Sequence, residues 1–242
     1  MISKLHRYIS SKLTKKPKFD MNRWDIINSF IQKHNYKSYL EIGYYKGWSF
    51  DQVKCEDKTA TDPNPCKNEF QQSMPPNSIL VSDGGCDIHK CTSDYFFSKI
   101  DEDEKWDIIF IDGLHEATQV SRDIENALKH LSPGGTIVLH DCNPPTLQHS
   151  TIGDKHGNWN GDVYKAFIKA RIELPYLTYT IDTDWGVGVI HPNIPARPLN
   201  FPVEEIDYEA LDNDRYEILN LISVEDFKTK MNEEIKNNNL PA

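Results

Sequence analysis

Asp112-Gly-Leu-His115 and His140-Asp141 are the two places in this sequence where residue type and spacing suggest chemistry. Each directly follows an apolar run, Trp106-Asp-Ile-Ile-Phe-Ile111 before the first and Thr136-Ile-Val-Leu139 before the second. An imidazole titrates near neutral pH and can take a proton from an attacking group. His115, with Asp112 beside it, is therefore the candidate general base. The competing reading makes His115 a cap for the helix that begins at Glu116. Polar groups also close three other apolar segments: Glu41-Ile-Gly43, Asp62 and Thr92-Ser93-Asp94. Asp62 could accept both hydroxyls of a ribose from the end of its strand, or could cap the turn before Pro63.

The turn Gly43-Tyr-Tyr-Lys-Gly47 spaces its glycines four apart. A dinucleotide pyrophosphate needs the G-x-G-x-x-G pattern, whose second glycine lets backbone and phosphate approach closely. That cofactor is disfavoured here. A turn of this kind still brings backbone amides near a carboxylate and leaves room for a methionine-like chain.

The elements that must position these residues read as strands alternating with helices. Trp24, Ile27, Phe30 and Ile31 recur at helical spacing ahead of a first strand at 38–42. A second strand ends near Asp62, closed by Pro63 and Pro65. The stretch 64–85 reads as an irregular insertion, with Pro75-Pro76 and Gly84-Gly85 as breakers around a short Ile79-Leu-Val81 run. The third core strand is placed at 87–91, with 79–82 as its alternative. The run 106–112 has the continuous apolar character of a strand buried on both faces of a parallel sheet. A helix bearing Ala117, Val120, Ile124, Ala127, Leu128 and Leu131 on one face follows, and Ser132-Pro-Gly-Gly135 stops it. Strand 136–139, a helix around Val163 to Leu174, and a hairpin of 177–182 and 185–191 complete the pattern. We expect a doubly wound α/β fold: a mostly parallel, seven-stranded sheet ending in an antiparallel hairpin. The expected divisions are an N-terminal helical extension (1–37), a core domain (38–192, with the 64–85 insertion) and a C-terminal extension (193–242) whose last helix is capped by Ser223-Val-Glu-Asp226.

Composition sets limits on partners. A net charge of −10 argues against general nucleic-acid binding, which needs clustered Lys and Arg; the basic start, 1–18, reads as a solvated tail. The sequence has no apolar run near the roughly 20 residues of a membrane span. Five cysteines without a C-x-x-C pair suggest neither a disulfide framework nor a zinc knuckle, and a reducing cytoplasm is the simple expectation.

Taken together, Tyr39-Leu-Glu-Ile-Gly43…Gly47, Asp62-Pro63, Thr92-Ser-Asp-Tyr-Phe-Phe97, Ile111-Asp-Gly-Leu-His115 and Leu131-Ser-Pro-Gly-Gly135…Leu139-His-Asp141 resemble a class I S-adenosylmethionine (SAM)-dependent methyltransferase. The subgroup most similar is the small-molecule and sugar O-methyltransferases. That resemblance covers about 38–190 and implies SAM as cofactor, with Glu41, Gly43, Tyr45 and Gly47 around its methionine part. It further implies Asp62 on the ribose, Ser93 or Asp94 near the adenine, and Asp112 beside the cofactor. The D-x-x-H segment resembles macrolide-sugar O-methyltransferases, in which the Asp binds a divalent metal and the His is the base. By that likeness Asp112 and Asp141 would hold Mg²⁺, although His140 stands where those relatives carry another acidic residue. The commoner G-x-G-x-G loop is absent.

The function expected is methyl transfer to a hydroxyl of a small molecule, a sugar or glycoside, with His115 as base. The alternatives are N-methylation of an amino sugar, a SAM-binding module without turnover, and, less well supported, an NAD-binding oxidoreductase. Trp159 is a candidate wall for a sugar acceptor, in a loop that also holds His149 and His156. The terminal extensions could serve a homo-oligomer interface.

Overall fold

A computed structural model describes residues 19–82, 85–153 and 159–238. The basic start, Gly84 and His156 lie outside the described residues. One nine-stranded sheet runs through the molecule. Its strands are β1 (Ser38–Ile42), β2 (Asp57–Thr61), β3 (Ser78–Ser82), β4 (Cys86–Lys90), β5 (Trp106–Ile111), β6 (Leu131–Leu139), β7 (Tyr176–Ile181), β8 (Val187–Pro195) and β9 (Leu221–Ile222), in spatial order β3-β4-β2-β1-β5-β6-β8-β7-β9. β4-β2-β1-β5-β6 are parallel, and β8 runs antiparallel between β6 and β7. This is the doubly wound sheet with a closing hairpin that the sequence pattern implies.

Two strands extend the expected seven. β3 lies within the stretch read as an irregular insertion and pairs antiparallel with β4, while β9 adds two residues beside β7. The third core strand is Cys86–Lys90, one residue earlier than expected, because this segment and not 79–82 pairs parallel with β2. A short helix, α2 (Glu69–Ser73), fills the rest of the same stretch. Ser132 to Gly135 form no turn outside the sheet: β6 starts directly after the helix, and a register shift opposite Trp106–Ile108 absorbs the Pro-Gly-Gly irregularity.

Helices cover both faces. Side chains alternate across strands, so Leu40, Ile42, Ile109, Ile111, Ile137 and Leu139 join the cluster under α4 (Ala117–His130) and α5 (Val163–Glu173). The opposite residues, Tyr39, Ile108, Phe110 and Val138, join the cluster under α1 (Arg23–His34) and α8 (Val224–Asn238). The remaining helices are short: α3 (Ser93–Phe97), α6 (Tyr208–Asn213) and α7 (Arg215–Leu219). α8 starts on the expected reciprocal cap, in which Asp226 N donates to Ser223 Oγ at 3.0 Å and Ser223 N donates to Asp226 Oδ2 at 3.3 Å.

Register fixes the site. Ile42 is paired with Thr61 and with Ile111, and Ile111 with Leu139. The next residues, Gly43, Asp62, Asp112 and His140, therefore leave four neighbouring strands at one level. Leu139 is also opposite Gly188, so the hairpin turn carrying Asp184 and Trp185 returns to that same edge.

α1 and α8 are joined edge-to-face through Phe30 and Phe227, ring centroids 5.6 Å apart and both rings buried. Phe227→Ala should cost about 3–5 kcal/mol, the usual range for emptying a core of a phenyl ring. Urea unfolding checks this, and a loss under ~1 kcal/mol would show that α8 is not part of the cooperative fold.

Candidate active site

A cavity of about 900 Å³ opens where strand order reverses between β1 and β5, the place where open α/β sheets bind ligands. Asp62, Thr92, Ser93 and Gln119 line its β2–β4 side, and Arg23, His140, Asp141, Trp159 and Trp185 its β6–β8 side. Glu41, Gly43, Asp112 and His115 lie between them.

The β1 turn is shaped by contact with β5. Gly43 has φ +101°, and a Cβ there would lie 2.0 Å from the carbonyl oxygen of Asp112. Only glycine allows both the left-handed backbone and the approach. Gly47, at φ +72°, instead makes room for the Tyr44 ring and does not line the cavity. Tyr45 lines the mouth, exposed, with its ring edge-on to Trp48 and Lys46 above both. Asp62 orders this turn: its Oδ2 accepts from Tyr45 N and its Oδ1 from Asn64 N, both at 2.6 Å. Each oxygen keeps a lone pair for a ligand. Ser93 is buried at the cavity wall and accepts from Gln119. Asp94 does not line the cavity; it faces Arg122 at 3.3 Å.

Glu41 is buried, and Tyr39 Oη donates to its Oε2 at 2.5 Å. Burial pushes this carboxyl up to about 8, against the help of the Tyr39 hydrogen bond. It is therefore neutral at physiological pH, able to donate as well as accept.

The other end of the cavity is dense in charge. Asp112, Asp141 and Asp184 surround His140, whose Nδ1 lies 3.3 Å from Asp112 Oδ1 and 3.0 Å from Asp141 Oδ2. His140 Nε2 lies 3.5 Å from Asp184 Oδ1. From the first turn of α1, Arg23 reaches Asp112 Oδ2 with Nη1 at 2.8 Å and Asp184 Oδ2 with Nε at 3.1 Å, and its backbone N donates to the same Asp184 oxygen at 2.8 Å. Asn160 Nδ2 donates to Asp141 Oδ1 at 2.6 Å. Burial alone would raise the Asp112 carboxyl, but His140 and Arg23 hold it well below the usual carboxylate range. Burial and Arg23, whose Nη1 lies 2.9 Å from Nδ1, oppose charge on His140, yet Asp141 and Asp112 raise it well above the usual imidazole value.

His115 is not the helix cap. Glu116 is the N-cap residue of α4, and the first amide, Ala117 N, is held by Asp162 Oδ1 at 2.6 Å. His115 instead lies under Trp159, rings stacked at 4.9 Å, with Nδ1 3.1 Å from the Trp159 carbonyl oxygen and 3.3 Å from Asp141 Oδ2. A carbonyl can only accept, so Nδ1 carries the hydrogen and the lone pair of the neutral ring is on Nε2, 3.5 Å from Asp112 Oδ1. Burial lowers this imidazole, but Asp112 and Asp141 more than compensate and leave it raised.

Asp112, His115 and Asp141 present donor atoms within 4.8 Å of one another, a spacing that a cation could bridge. A nitrogen in the set suits a transition metal better than Mg²⁺. Charge is also already supplied: the facing oxygens of Asp112 and Asp141 meet His140, and the second oxygen of Asp112 meets Arg23.

Residues 40–142 match a family model described as a methyltransferase domain. Among solved structures it is similar to the SAH-bound methyltransferase PaMTH1 of Podospora anserina, at 14% identity and a TM-score of 0.52, over 78% of this chain and 95% of that one. It is also similar to an O-methyltransferase of Bacillus cereus in complex with SAH, at 14% identity and a TM-score of 0.49, over 79% of this chain and 100% of that one. No curated protein matches the chain. The fold is the Rossmann-like methyltransferase fold, and among the described residues no helix is long and apolar enough to cross a membrane.

The sequence pattern points to every strand-end residue of this cluster, but not to Arg23, Asn160 or a charged role for Asp184. Asp184 falls in the connection between the two expected hairpin strands. Its signal is an acidic residue in a turn that returns to the ligand edge. Arg23 had none beyond its place at a helix start.

The neutral Glu41 carboxyl has a measurable consequence. Its value of about 8 in the folded state is above the ordinary 4.5, so the folded state keeps a proton that the unfolded chain loses, and stability falls as pH rises from about 4.5 to about 8. Glu41→Gln keeps an acceptor for Tyr39 and removes the titration. Its melting temperature should match wild type near pH 5 and exceed it by pH 9. Parallel curves across that range would show that Glu41 is ionised in the folded protein.

Proposed function

We propose that this chain is a SAM-dependent O-methyltransferase acting on a hydroxyl of a sugar or glycoside, with His115 as general base. The observation that carries the reading is one continuous cavity with a ribose-type acceptor, Asp62, on one side and an oriented base, His115, towards the other. The match to a methyltransferase domain and the SAH held by a protein of this fold support the cofactor.

Bound SAM would supply an electrophilic methyl group on its sulfonium. The chain's own groups suit that ligand. Asp62 retains lone pairs for the ribose hydroxyls, Ser93 and Gln119 offer polar contacts on the adenine side, and neutral Glu41 adds no charge near the methionine part. The acceptor then belongs on the β6–β8 side. Trp159 and Trp185 provide flat apolar walls there, the kind of surface on which a sugar ring packs its C–H face. His115 Nε2 would take the hydroxyl proton as the oxygen attacks. Trp159 O and Asp141 hold the ring by Nδ1, and Asp112 favours the imidazolium that forms.

A metal ion at Asp112, His115 and Asp141 would acidify a hydroxyl, but it would take His115 as ligand and so remove the base. The charge already gathered there by Arg23 and His140 favours the base reading, and no step of this chemistry passes through a metal.

Calorimetry with SAM and with NAD decides the cofactor: SAM should bind and NAD should not, and no SAM binding at millimolar ligand would end the proposal. Transfer of labelled methyl from SAM to a panel of glycosides then tests the acceptor. With an acceptor in hand, His115→Ala should leave SAM affinity nearly unchanged and lower turnover by about 10²-fold or more. Because its neighbours raise His115, activity should climb with pH across a range above the ordinary 6.5. Unchanged turnover in the alanine variant would remove His115 from the chemistry.

A further inference from the structure

The geometry points to Arg23 as a built-in counter-cation of the carboxylate cluster, filling from the N-terminal helix the electrostatic place that a divalent metal would otherwise take between Asp112, Asp141 and Asp184. Arg23 lies well outside the segment that matches the methyltransferase domain. It nevertheless lines the cavity and is mostly buried, with 20% of its side chain exposed.

The cluster needs such a charge. Asp112, Asp141 and Asp184 have side-chain exposures of 16%, 6% and 4%, and all three lie within 3.5 Å of His140. Three buried carboxylates so close together are strongly repulsive unless cations or donors compensate them. One imidazole between them is too little. Arg23 answers with a grip that a point charge lacks. Nη1 holds Asp112 and also meets His140 Nδ1 at 2.9 Å, Nε lies 3.1 Å from Asp184 as an ion pair only, and the backbone N–H of the same residue, at the positive N-terminus of α1, donates to Asp184.

The grip is also directional. Arg23 takes Oδ2 of Asp112 and Asn160 takes Oδ1 of Asp141, so the remaining oxygens, Asp112 Oδ1 and Asp141 Oδ2, both turn towards His115 and His140. These are the oxygens a metal would need. Arg23 is thus a positioning residue that aims Asp112 and, as a fixed positive charge beside the cluster, weakens the site for a divalent ion. The N-terminal helix becomes part of the site: Thr183 Oγ1 donates to Met21 O at 2.7 Å, and Phe19 meets Trp185 edge-on at 5.9 Å, which seats the start of α1 against the hairpin turn.

The test uses the full chain and Mn²⁺ alone, followed by electron paramagnetic resonance, and depends on neither cofactor nor acceptor. Wild type should bind Mn²⁺ only in the millimolar range. Arg23→Met, which keeps the length and removes the charge, should bind it at least about 10-fold tighter, since a like charge within a few ångströms has gone. Arg23→Lys should stay near wild type, and adding Asp141→Asn to Arg23→Met should abolish the gain. Micromolar Mn²⁺ binding by wild type, or a Met variant that binds no better, would overturn the inference. Should Arg23→Met prove too unstable to study, its folding should be restored by millimolar Mn²⁺ in a thermal melt; failure of restoration, with Arg23→Gln binding Mn²⁺ no tighter than wild type, would equally overturn it.

Discussion

The structure depends on burying three carboxylates around one imidazole at the end of a parallel sheet. Each of Asp112, Asp141 and Asp184 would be unfavourable there alone. What makes the arrangement stable is that every neighbouring element sends it a compensating group. α1 sends Arg23, β6 sends His140, the segment before α5 sends Asn160, and the D-x-x-H turn sends His115. The backbone shows the same constraint. Asp141, Asp184 and Trp185 all have positive φ, an uncommon conformation for residues other than glycine, and all three belong to the turns that close on this cluster.

A second constraint separates the two halves of the cavity. Gly43 sits against the carbonyl of Asp112, so the β1 turn and the β5 end are locked at contact distance. On one side of that contact the lining is polar but compensated: Asp62 is occupied by backbone amides, and Glu41 is neutral. On the other side lie the charged cluster and two tryptophans. The cavity is thus graded in charge from the Asp62 end to the His140 end.

The part of this design that lies on the sheet was legible in the sequence. Apolar runs identify buried parallel strands, and the residue that ends each run must emerge at the ligand edge, which is why Asp62, Asp112, His140 and Asp141 were recognisable without coordinates. Edge strands were harder. Ile79 to Val81 is flanked by breakers and has one solvent-facing side, and β9 is only two residues long, so neither carries a periodic signal. Arg23 was invisible for another reason. Its partners lie 89 and 161 residues away in the chain, and an arginine in a first helical turn, where the macrodipole disfavours a cation, has no local pattern that marks it as buried.

That unfavourable position is itself informative. A cation at a helix N-terminus costs some stability, typically several tenths of a kcal/mol at an exposed site. Here the cost is offset because Asp184 accepts from the backbone amide and forms an ion pair with the guanidinium of the same residue. The helix start and the carboxylate cluster therefore stabilise each other, with Arg23 adding to the compensation that His140, His115 and Asn160 supply. α8 reinforces the coupling by packing Phe227 on Phe30 of α1 within the core. The segments carrying α1 and α8, which on a linear map flank the stretch that matches the methyltransferase-domain model, are thus tied to its charged end.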